Sequence, residues 1–146
     1  MEQSADRVVI PKETVEQSEE KKRRHRTLRQ MPIYRDMANL KYLVVMLYQR
    51  VPKKLTRYID SILLTVCESK KCVGMAHVTR NAAERMAYLD MARVMVEDVQ
   101  DDITIVKRMN LIDKDTEADM KRLAKSVVAQ AIALRDYTYG QGVHKE

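Results

Sequence analysis

The sequence contains no tryptophan and no phenylalanine, and only three glycines and three prolines. Sheet proteins turn on Gly- and Asn-rich corners and fill their strands with aromatic and β-branched residues. These absences therefore count against a sheet. Cysteine is nearly absent too: Cys67 and Cys72 are the only two. Five positions along a helix turn a side chain by roughly 140°, so this pair is not placed to form a bridge. Free thiols in a reducing compartment are the simpler expectation. No apolar run approaches the length of a membrane span, and the first residues lack the apolar region of a signal peptide. The reading is a cytoplasmic protein with no membrane partner.

What the chain does have is helix-forming. Ten methionines and long runs of Ala, Leu, Met, Lys, Arg and Glu contribute to a hydrophobic fraction of 45%, enough for a core in one domain. The charged fraction of 33% requires much of every helix to face water.

The net charge is +6, and residues 1–30 hold eight basic and six acidic side chains. Glu13, Glu16, Glu19 and Glu20 precede a compact block of Lys21, Lys22, Arg23, Arg24, Arg26 and Arg29. Apart from the short apolar patch "RVVIP" this segment has no sustained period, which predicts a basic arm over 1–30 that is disordered or ordered only by a partner. Such a block gains most from displacing counterions on a phosphate backbone. A nuclear-import signal, a solubilising tail and an arm for an acidic protein are its alternatives.

From Met31 the period becomes helical. A first helix is expected after Pro32, with Met37, Leu40, Val44, Leu47 and Val51 facing inward until Pro52 interrupts it. A second, from about Pro52–Lys53 to Val78, buries Leu55, Ile59, Ile62, Val66 and Val73. "NAAERM" opens a third, with Asn81 as cap and Glu84 three residues later as in a capping box. Its stripe of Leu89, Ala92, Val96, Val99, Ile103 and Val106 is the seam of a bundle, and Asn110 suits a left-handed stop. A fourth starts after Asp113 or Asp115, buries Met120, Leu123, Val127, Ala131 and Leu134, and closes at Gly140. The expected fold is all-α: an up-down-up-down antiparallel four-helix bundle over 31–140, with a tail at 141–146. Tyr88, Met91 and Met95 make a second apolar stripe on the third helix, fit for subunit contacts or a wide core.

Chemistry is sparse. Cys67, Cys72 and His77 step around a helix instead of lining one face, so they do not form a tetrahedral metal site within it. A Cys–His nucleophile fails in the same way. There is no Gly-rich phosphate loop, HExxH or GxSxG. Asp98, Asp101 and Asp102 read as a solvated face beside Lys107 and Arg108. The expectation is a protein that is not an enzyme, with no metal and no cofactor. Basic clusters are the remaining candidates: Arg50, Lys53, Lys54 and Arg57 at the first helix corner, and Lys70, Lys71 and Arg80 near the far end of the second helix. Lys53, Lys54 and Arg57 stand at i, i+1 and i+4, so Lys53 and Arg57 are expected to share a helix face with Lys54 flanking them.

Three stretches carry a resemblance: "YRDMANLKYLVVMLYQRVPKKLTRYI", "NAAERMAYLDMARVMVEDVQDDITIVKRMNLID" and "ALRDYTYG". Together they resemble a bacterial four-helix-bundle family. It includes the accessory variability determinant of diversity-generating retroelements and the small proteins of ribosomal RNA intervening sequences. The first stretch is similar to the family's opening helix, its Val-Pro break and the basic start of helix two. The second resembles its asparagine-led third helix, and the third its Gly-Trp ending, with Tyr139-Gly140 and no tryptophan here. The intervening-sequence branch carries an Asn-Ile-Ala-Glu-Gly-like motif where this chain reads "ESKKCVGMAHVTRN", so the retroelement branch is nearer.

The resemblance implies a homo-oligomer, a pentameric barrel, that binds structured RNA and DNA and associates with a reverse transcriptase. Of the basic residues, Arg50, Lys53, Lys54 and Arg57 match the family trend. A helical protein–protein adaptor and a DNA-mobilisation accessory of a mobile element are the competing expectations. A neighbouring reverse transcriptase gene would favour the retroelement, and a relaxase gene the mobile element.

Overall fold

The computed structural model describes residues 31–141. Helix α1 spans Pro32–Met46, with the proline in its first turn, where a missing amide proton costs nothing. It buries Ile33, Met37, Leu40 and Val44, each at 1% exposure or less. The chain then tightens into a 3-10 turn, Leu47–Gln49. Both Arg50 and Val51 donate their backbone amides to the Leu47 carbonyl, at 3.0 and 2.9 Å, so this corner remains hydrogen-bonded up to Pro52.

A second 3-10 turn, Lys53–Leu55, precedes helix α2, Thr56–Val78. The second helix thus starts a turn later than the sequence pattern suggests. Leu55 donates to the Pro52 carbonyl at 2.8 Å, and the Thr56 hydroxyl donates to that of Lys53 at 2.9 Å. Lys53 and Arg57 consequently do not share one continuous α-helical face.

Helix α3 covers Ala82–Arg108, and the Asn81 side chain caps it by accepting from the Glu84 amide at 2.9 Å. The seam residues Ala92, Val96, Val99 and Ile103 are wholly buried. The helix stops at Asn110, which adopts φ 61. Asn110 donates to the Lys107 carbonyl and Leu111 to that of Val106, both at 3.0 Å. This pair of backward bonds satisfies carbonyls that the helix end would otherwise leave open. Asparagine tolerates the left-handed region better than bulkier residues do.

Helix α4 runs Lys114–Gln141, and Asp113 accepts from the Thr116 amide at 2.7 Å just ahead of it. Gly140 does not close the helix: it is helical itself, and Gln141 continues it. A Cβ at Gly140 would meet no neighbouring element within 4 Å among the described residues, so packing there does not require a glycine.

Among the described residues four helices pack against each other, α1 on α2 and α4, α2 on α3, and α3 on α4. Their inward stripes meet in one core that includes Met37, Ile59, Val96 and Met120. Burying each side chain of this size is worth about 1.5–3 kcal/mol. Polar bonds fix the register between neighbours. Ser69, wholly buried in α2, donates to the Ala92 carbonyl of α3 at 3.2 Å. Ser126 and Gln130 of α4 donate to the Asp36 carboxylate of α1 at 2.6 and 2.7 Å. Arg135 of α4 meets Asp90 of α3 at 3.0 Å. Tyr48 donates to Asp60, tying the first corner to α2. Burial, then the Asp60 carboxylate, push the Tyr48 phenol up to about 12.

Candidate nucleic-acid interface

Two chain corners meet at one end of the molecule. Arg50, after the first 3-10 turn, lines the same open cleft as Lys107 in the last turn of α3 and Lys114 at the start of α4. Lys53 and Lys54 stand exposed on the adjoining 3-10 turn. Among the described residues, none of these five cations has a salt-bridge partner. Asp113 is the carboxylate on the cleft. The Thr116 hydrogen bonds, backbone amide first, and then the Arg50 charge hold Asp113 below its ordinary range.

Arg57 is also exposed, but its guanidinium is engaged locally. It lies 5.0 Å from the Tyr58 ring centroid and donates to the Tyr58 hydroxyl at 3.2 Å. A guanidinium held over a ring remains charged and is partly pre-organised for a second anionic contact.

The other predicted cluster divides. Lys70 is half-buried, with its ammonium 4.7 Å from the ring centroid of Tyr34 on α1. Lys71 is exposed, and Arg80 is exposed in the turn between α2 and α3. The 23 residues of α2 span about 35 Å, so Arg80 lies far from Lys53 and Lys54. One cluster is thus concentrated and the other dispersed. Lys21, Lys22, Arg23, Arg24, Arg26 and Arg29 lie outside the described residues.

The sequence pattern alone did not single out Lys107 and Lys114 as binding candidates. A usable signal was present in the two short connections "QRVPKK" and "KRMNLIDK", each of which is bracketed by cations. Nor do Lys107 and Arg108 pair with the acids of α3. Asp102 is pushed up by burial and then by its neighbours Asp98 and Asp101.

No group of His, Cys, Asp or Glu among the described residues is gathered as metal ligands. Cys67 and Cys72 are both free, and burial followed by the Glu68 charge pushes the Cys72 thiol up. No helix among the described residues is long and apolar enough to cross a membrane. The chain matches no known protein-family model and no curated protein. What the basic end can do chemically is attract and hold phosphate oxygens through several weak, additive contacts.

Proposed function

We propose that the chain is a non-enzymatic accessory protein of a diversity-generating retroelement, resembling the accessory variability determinant, that binds structured RNA and DNA. In this reading the helices run up-down-up-down and the chain forms a homo-oligomer, a pentamer by resemblance. It works in the cytoplasm of a bacterium, presenting nucleic acid to a reverse transcriptase. No cofactor takes part. The arm over 1–30 acts as a disordered electrostatic tether.

The observation that carries the reading is the gathering of Arg50, Lys107 and Lys114 on one cleft, with Lys53 and Lys54 on the adjoining turn and none of the five in a salt bridge among the described residues. Symmetry would repeat that end in each subunit, and individually modest phosphate contacts would then add by multivalency. The combined change Arg50→Glu, Lys53→Glu and Lys54→Glu tests it. RNA retention on a filter should be lost while light scattering reports an unchanged oligomer; full retention would refute this assignment of the face.

A helical protein–protein adaptor is the second reading. Leu64 at 61%, Met91 at 47% and Val94 at 47% exposure favour it, since these apolar side chains would suit a partner helix. Excess absorbance at 260 nm in the purified protein would favour the nucleic-acid reading over this one.

A further inference from the structure

The cleft at the basic end has a composition more specific than a charged surface. Arg50, Lys107 and Lys114 come from three separate segments and border a cavity of about 340 Å³. Leu111 and Ile112 supply an apolar wall. Asp113 already accepts a hydrogen bond from Thr116, so its carboxylate is partly occupied in capping α4. Among the described residues, three cations against one carboxylate leave the cleft with two positive charges in excess.

That excess suits one kind of phosphate. A phosphomonoester carries about −1.5 to −2 at neutral pH, whereas each phosphodiester within a strand carries a single negative charge. The cavity lies at the small end of ligand pockets, large enough for a phosphate with part of its nucleoside. The Asn110 stop and the Asp113 cap also fix the Lys107–Lys114 connection from both sides, so the two ammonium groups project from held backbone.

We propose that this cleft seats a phosphomonoester, either the terminal phosphate of a nucleic-acid strand or that of a free nucleotide. The strand-end source rests on the nucleic-acid reading above; the free-nucleotide source does not. Lys107 and Lys114 hold the phosphate from one side and Arg50 from the other, with the sugar against Leu111 and Ile112.

The test uses the full chain and two probes. Adenosine 5′-monophosphate is titrated against the amide resonances of Asn110, Ile112 and Asp113, with adenosine as comparison. A short oligonucleotide is then compared with and without a 5′-phosphate by fluorescence anisotropy. The expected result is that the nucleotide shifts those amides, adenosine does not, and the 5′-phosphate strengthens binding roughly fivefold. Arg50→Gln and Lys107→Gln should each erase that preference, while Lys125→Gln, an exposed site on α4, keeps it. Nucleotide shifts at the cleft without oligonucleotide binding would support the cleft and overturn the nucleic-acid reading. Equal binding of both oligonucleotides with no nucleotide shift would overturn the cleft and leave that reading standing. No binding of any probe would overturn both.

Discussion

Arg50 and Lys107, one following the first helix and the other in the last turn of the third, line the same cleft. Nothing local brings them together. Their proximity depends on the packing of α1 and α3 through their shared neighbours α2 and α4. The placement of charge at this end is therefore a property of the folded chain, and anything that melts the bundle should disperse it.

The core dictates the first prediction. Leu40 is wholly buried and Leu64 is 61% exposed. Leu40→Ala should lower the unfolding free energy by about 2–5 kcal/mol, the cost of lost burial plus a cavity. Leu64→Ala should stay within about 0.5 kcal/mol. Urea melts of the two variants check this, and a comparable loss in both would show that Leu64 is covered in solution.

The cap of α3 gives the second. Asn81→Ala leaves the Glu84 amide without its acceptor. The expected loss is about 1 kcal/mol, largely restored in Asn81→Asp, because either side chain offers an oxygen at that position.

These two expectations rest on features already legible in the sequence. The stripe from Leu89 to Val106 is buried along its whole length, and Asn81 and Asn110 do at the ends of α3 what their residue types favour. Helical period and end chemistry are local, so they can be read without knowing the neighbours. The break around Val51–Pro52 was visible, but its two 3-10 turns were not, because hydrogen bonds to Leu47 and Pro52 decide that geometry. The basic site was legible only in part. Lys53 and Lys54 belong to the exposed end, whereas Lys70 lies over Tyr34, a contact made only when α1 and α2 pack. Lys107 and Lys114 were missed because their relation to Arg50 crosses the bundle.

A third prediction concerns pH. Burial first, then Asp98 and Asp101, push the Asp102 carboxyl above its ordinary 3.8. The folded chain therefore holds that proton more tightly than the unfolded chain does, and the ionised form is a cost at neutral pH. Asp102→Asn should raise the neutral-pH unfolding midpoint. The gain should fade as pH falls through the raised pKa, where wild-type Asp102 becomes neutral as well. A gain independent of pH would point to packing instead of charge.

In the proposed function, the end bearing Arg50, Lys53 and Lys54 contacts phosphates directly. The most direct measurement is the salt dependence of binding to a duplex DNA and to a structured RNA, made on the full chain and on the combined Arg50→Gln, Lys53→Gln, Lys54→Gln variant. Each lost phosphate contact on duplex DNA should reduce the log–log slope by about 0.9. A visibly shallower slope is expected for the variant on both nucleic acids. An unchanged slope, with wild type still bound, would contradict it and place the phosphate contacts elsewhere on the chain.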